Sequence, residues 1–160
     1  MSCSSSGYTC QALVKSGTPQ TTPLPFITLP SGLLGCDSLV IATLRLNTAN
    51  YRDPCIKLDF VTNFNVFGIT AGTIKFQVYK QCDNQESPIP IGAPWTFGPI
   101  AVGYEPLSFF VFDCDYAGCY CDASYTYTVV VSAAEFIVAE LGYASFTNST
   151  LAATITCNES

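Results

Sequence analysis

Cys55-Ile56-Lys57-Leu58-Asp59-Phe60-Val61-Thr62-Asn63-Phe64 is the stretch on which the fold turns. Ile56, Leu58, Phe60, Thr62 and Phe64 line one face, and Lys57, Asp59 and Asn63 line the other. Successive side chains of an extended chain point to opposite sides. A period of two therefore marks a strand with one face on a core and the other in water.

The same rhythm continues outward. Leu39, Ile41 and Thr43 alternate in a strand that runs on to about Leu46. After Ala71-Gly72, Ile74, Phe76 and Val78 alternate with Lys75, Gln77 and Tyr79, and a polar, turn-like loop follows over 81–88. Residues 89–97 carry Pro90 and Pro94 around Ile91, Trp95 and Phe97, which predicts an irregular edge strand. Leu107, Phe109 and Val111 alternate with Ser108, Phe110 and Phe112, and both faces are apolar enough to be buried. Tyr125, Tyr127, Val129 and Val131 form one face of a long strand, and a final pair over 136–147 and 151–156 is joined through Asn148-Ser149-Thr150. No segment shows a capped helical period, and only 133–141 reads ambiguously. About seven to nine short, turn-punctuated strands predict an all-β fold, an antiparallel β-sandwich of jelly-roll-like form.

Residues 1–35 differ from the rest. They hold Cys3 and Cys10, a Ser-rich start, and Pro23, Pro25 and Pro30 within an extended stretch. Missing N–H donors suit an edge strand or a linker and exclude a central strand. The expected division is a flexible N-terminal connector or arm over 1–35 and the sandwich over 36–160. The start, MSCSSSGYTCQALVKSG, has no basic start followed by an apolar run, so no secretory signal peptide is expected.

Composition narrows the function classes. Hydrophobic residues make up 49% of the 160 and charged residues only 11%, less than half the share usual in soluble domains. A surface so poor in charge favours self-assembly, because mixed charge is what keeps proteins apart. The net charge of −6, with no basic cluster, speaks against nucleic acid. No stretch reaches about 18 apolar residues, so no membrane-spanning helix is expected. The chain has no His, which removes the commonest general base and zinc ligand. Asp113 and Asp115, flanking Cys114, are the remaining carboxylate pair, and both are expected to face solvent. Gly32 and Gly35 have no following helix and read as turn glycines, not a phosphate cradle. No enzymatic activity and no cofactor are expected.

Nine cysteines remain. An odd count leaves at least one thiol without a partner in its own chain, and disulfides persist only in oxidising surroundings. Cys114, Cys119 and Cys121 lie within eight positions, but the C-x4-C-x-C spacing differs from the paired knuckles of a four-cysteine zinc site. Disulfides are therefore favoured over metal. Cys119 and Cys121, two apart on a strand, face the same way and suit separate partners. Cys3 and Cys10 are the sharper candidates for bridges between subunits, with Cys119, Cys121 or another strand-end thiol as their acceptors on a neighbour. Cys36, Cys55, Cys82, Cys114 and Cys157 are the other disulfide candidates.

From about Leu39 to Ile155 the sequence resembles a Cys-rich family of uncharacterised proteins found in spore-forming anaerobes. The resemblance is carried by 55–60, by Phe76-Gln77-Val78-Tyr79-Lys80-Gln81-Cys82-Asp83-Asn84, and by Phe110-Val111-Phe112-Asp113-Cys114-Asp115 leading into Cys119-Tyr120-Cys121 and 125–129. The layout is also similar to the endospore-appendage (Ena) pilin subunits, with a Cys-bearing connector before a jelly roll. Cys3 and Cys10 match the connector thiols in position, not in spacing. That likeness implies fibres built by strand augmentation and connector disulfides. The expected function is thus a structural subunit that assembles with itself into a helical, disulfide-cross-linked filament, extracellular or on a spore surface. The alternatives are a monomeric carbohydrate-binding module using Trp95, Tyr104, Tyr116 and Tyr120 as stacking platforms, and a Cys-rich metal-binding domain.

Overall fold

The computed structural model describes residues 13–24, 27–28, 34–51, 53–99, 103–114 and 124–157. Their strands are β1 (Leu13–Ser16), β2 (Gln20–Leu24), β3 (Ile27–Thr28), β4 (Leu34–Asn47), β5 (Pro54–Ala71), β6 (Ile74–Cys82), β7 (Ile89–Phe97), β8 (Gly103–Asp113) and β9 (Ser124–Cys157). They form two antiparallel sheets facing each other, and the long β9 belongs to both. In the first sheet the order is β1 and β2 beside β9, then β5, then β8. In the second it is β3, β4, β9, β6, β7. The fold is the expected all-β, jelly-roll-like antiparallel sandwich.

The period of two places the core. Ile56, Leu58, Phe60, Thr62 and Phe64 of β5 are all buried, as are Ile74, Phe76 and Val78 of β6. Phe76 stands where the sheets meet. Its ring lies 5.6 Å from Phe60, Phe97 and Phe109 and 5.9 Å from Phe146. Tilted and edge-on contacts at these distances are the arrangements that aromatic quadrupoles favour.

Three strand readings are corrected. In β4, Ile41 and Ala42 are both buried and Thr43 is exposed, so Leu39, Ile41 and Thr43 do not share a face. A bulge sets Val40 opposite Val130 and Ala42 opposite Val129, and the extra residue moves the core face onto Ala42, Leu44 and Leu46. The expected final pair is one strand, since 143–147 and 150–157 of β9 both run along β5. Asn148, at φ 53°, makes a bulge and not a reversal. There the Thr62 and Ser149 hydroxyls meet at 2.8 Å in the interior. Finally, β8 is buried on one face only. Phe110 and Phe112 point away from the core and are 46% and 57% exposed, with the Trp95 ring of β7 6.2 Å from Phe110.

Within 1–35, β1 and β2 run along the domain's own β9, and β3 pairs with β4. Leu13 pairs with Ile155 and Pro23 with Ser145, so β1 and β2 are edge strands, as the prolines allow. Gly17 joins them where only hydrogen fits. Its N–H donates to Leu151 O at 2.8 Å, and a Cβ there would sit 2.8 Å from Thr43 O. Gly17→Ala is expected to cost about 1–3 kcal/mol through this overpacking. A lower denaturation midpoint, with faster amide exchange at Val14 and Lys15, is the measurement; unchanged exchange would contradict it.

β7 is the irregular edge strand expected. Phe76 faces Trp95 while Val78 faces Ile91, which leaves Gly92, Ala93 and Pro94 bulging out of the ladder. The Gln77 amide donates to Ile91 O at 3.2 Å and Gly92 O at 3.3 Å, occupying carbonyls that the bulge takes out of register.

Candidate functional site

One end of the sandwich gathers most of the chemistry-bearing side chains. Leu13, Ile155, Ile56 and Asp113 form one row across β1, β9, β5 and β8. Beside this row Cys55 and Cys114 are joined in a disulfide across 59 residues, tying the end of β8 to the start of β5. Cys157 stands opposite Pro54 at the same end, and Cys82, also disulfide-bonded, closes β6 there. Cys3, Cys10, Cys119 and Cys121 lie outside the described residues. In sequence, Cys10 lies three residues before Leu13, and Cys119 and Cys121 lie between Cys114 and Ser124. Cys36 is the exception. Its backbone pairs with Ala133, while Leu46 of the same strand pairs with Tyr125, so Cys36 belongs to the opposite end.

Beneath the cysteines lies a buried polar cluster. Lys80 Nζ of β6 is 2.7 Å from Asp113 Oδ2 of β8, with both side chains at least nine-tenths buried. The Tyr127 hydroxyl of β9 donates to the same oxygen at 2.5 Å, and the Lys80 ammonium sits 4.4 Å from the centre of the Tyr125 ring. Asp113 is therefore not at the surface as expected, and Asp115 lies outside the described residues. The signal was present. Asp113 is in phase with Leu107, Phe109 and Val111, Lys80 with Ile74, Phe76 and Val78, and Tyr127 with Val129 and Val131. An inward position held by a charge is the informative exception.

Burial, then the Asp113 carboxylate, push the Tyr127 hydroxyl far above the ordinary value of 10.0. An unfolded tyrosine loses its proton near that ordinary value while folded Tyr127 keeps its own. Stability from this group is whole below pH 10 and declines above it. Tyr127→Phe is expected to flatten the alkaline limb of a stability–pH curve relative to the parent chain. Parallel limbs for the two proteins would contradict that.

Two of the remaining candidates lie on β7 and β8. Trp95 on β7 is 38% exposed and stacks on Phe109 at 5.7 Å, while Tyr104 on β8 is 63% exposed. Tyr116 and Tyr120 lie outside the described residues. Among the described residues no three Cys, Asp or Glu come together as metal ligands. No helix there is long and apolar enough to cross a membrane.

The family model for a domain of unknown function, DUF4489, matches residues 10–156, nearly the whole chain. The chain belongs to the DUF4489 family. The matched span takes in both sheets of the DUF4489 domain and every cysteine but Cys3 and Cys157. No curated protein matches it. Among solved structures, that of infectious bursal disease virus Gx strain aligns with TM-score 0.42 at 7% identity, over 91% of this chain and 40% of the virus chain. The infectious bursal disease virus VP2 subviral particle gives 0.37 at 7% identity, again over 91% and 40%. Eiger TNF from S. frugiperda gives 0.33 at 8% identity over 90% and 96%. The DUF4489 chain thus spans well under half the length of the virus chains it matches. Likenesses this distant bear on the sandwich architecture at most and not on what the chain does.

Proposed function

We propose that this DUF4489 chain is a structural subunit that polymerises with copies of itself into a disulfide-cross-linked filament, outside the cell or on a spore surface. The observation that carries the reading is the edge formed by β8. Among the described residues this strand of 11 residues pairs only with β5, and it bears exposed Phe110 and Phe112. A long edge strand presents unpaired N–H and C=O groups, which folded proteins normally cover or blunt with charge. Within β8 only Glu105 is charged near the open part of the edge, Asp113 being buried in its ion pair.

The occupant of that edge is the β1–β2 side of the next copy. Both sides belong to the same sheet, so pairing them continues it, and a contact between two different surfaces that does not close makes a filament. Side-by-side copies bring their cysteine poles together. Cys3 and Cys10 on residues 1–12 of one subunit then reach Cys119 or Cys121 of the next without β1 or β2 leaving their own sheet. Each such bridge adds on the order of 2–4 kcal/mol.

Negative-stain electron microscopy of the purified chain is expected to show filaments. Denaturing gels are expected to show a ladder that collapses to monomer on reduction, and Cys3→Ser with Cys10→Ser is expected to abolish the ladder. Phe110→Glu with Phe112→Glu places charge along the edge at exposed positions, where the fold should lose no more than about 0.5 kcal/mol per site. That variant is expected to remain a folded monomer. A parent chain that is monomeric in both gel lanes and in the microscope overturns the proposal.

A further inference from the structure

We propose that Lys80 and Asp113 condense into an intramolecular amide, a covalent cross-link between the two sheets of the sandwich. The inference does not rest on filament formation.

Three observations lead to it. First, a primary amine and a carboxyl group are in direct contact at 2.7 Å, both removed from water. Holding reactants in contact replaces the entropy cost of an encounter, which is how intramolecular reactions reach very high effective concentrations. Second, condensation removes both charges. Two ions in an apolar interior carry a large desolvation cost, and once one proton passes from Nζ to the carboxylate the amine and the acid can join into a single neutral amide. Third, the oxygen that must leave already has a proton donor. Tyr127 Oη is hydrogen-bonded to Oδ2, and burial keeps that hydroxyl protonated.

The step balances without any co-reactant. The Nζ lone pair attacks Cγ of the protonated Asp113 carboxyl group and forms the N–C bond. As the Cγ–Oδ2 bond breaks, Tyr127 hands its proton to Oδ2 and receives one from the nitrogen in the same event, so that one water leaves and the hydroxyl ends protonated as it began. Ammonium and carboxylate become amide and water, with no change in oxidation state.

The position suits a staple. Lys80 belongs to β6 of one sheet and Asp113 to β8 of the other, and Cys114, the next residue, is bonded to Cys55 on β5. The end of β8 would thus be covalently joined to both layers, one bond sensitive to reductant and one resistant.

The test is the intact mass of the purified chain after complete reduction and denaturation. The expected mass is one water below that of the sequence, with a branched peptide joining the Lys80 and Asp113 segments after proteolysis. Tyr127→Phe keeps the ring and removes the proton donor, and it is expected to slow formation at least tenfold, so that freshly made protein has the full mass. A parent chain of full sequence mass, or a water loss that maps to other residues, overturns the cross-link. Rapid, complete condensation in Tyr127→Phe overturns the part given to the tyrosine.

Discussion

Phe76→Ala is expected to lower stability by about 3–5 kcal/mol, the range for removing a large aromatic from a core, and to push the chain towards unfolding. Phe76 has no solvent exposure and its ring touches four others, Phe60 and Phe109 on one sheet's strands, Phe146 on β9 and Phe97 on β7. Alanine leaves a cavity at the junction of the layers. Backbones on both sides are held by ladders, so the walls collapse only partly. Native domains are stable by only about 5–15 kcal/mol, so a single truncation here removes a large share. Urea denaturation followed by tyrosine and tryptophan fluorescence reads the change. A loss below about 1 kcal/mol would mean that the two sheets do not pack through this ring.

The second large effect belongs to the buried pair. Lys80→Met keeps the length of the side chain and removes its amine, so that neither an ion pair nor an amide can form and Asp113 is stranded with only the Tyr127 hydroxyl. Breaking a buried pair from one side costs about 3–5 kcal/mol, because the surviving charge has lost its partner while still out of water. Lys80→Met with Asp113→Asn removes both charges and leaves an amide that still accepts from Tyr127. The double variant is expected to regain the part of the loss due to the stranded carboxylate. The exposed pair Arg45–Asp83, at 2.6 Å, provides the contrast. Arg45→Ala should change stability by no more than about 1 kcal/mol, since water solvates either partner alone. If Lys80→Met and Arg45→Ala cost the same, the Lys80–Asp113 pair is not buried as described.

Much of this protein is written in local sequence. The period of two from Ile56 to Phe64 and from Ile74 to Tyr79 sets which side chains face inward, because strand geometry enforces alternation wherever one face is covered. Pro23 in β2 and Pro90 and Pro94 in β7 mark edges, because a residue without an N–H cannot sit in the middle of a ladder. Local readings fail where the chain departs from even pairing. The extra residue at Ile41–Ala42 flips the phase of β4, and Asn148 lets β9 continue along β5 where a hairpin was expected. A bulge depends on the partner strand, and the partner is distant in sequence.

The chemistry divides in the same way. Sequence alone establishes an all-β sandwich, rich in cysteine, poor in charge and without histidine. It also marks Cys55 and Cys114 as disulfide candidates. Only the tertiary structure brings Lys80, Asp113 and Tyr127 to one oxygen, from three strands spread over 48 positions. Only it bonds Cys55 to Cys114 across 59 residues, gathers four of the five described cysteines at one pole, and leaves β8 as an edge with Phe110 and Phe112 outward. The physical reason is range. Alternation and missing donors are properties of neighbouring residues, whereas contacts between sheets depend on which strands become partners and in what register, and the whole core settles that at once.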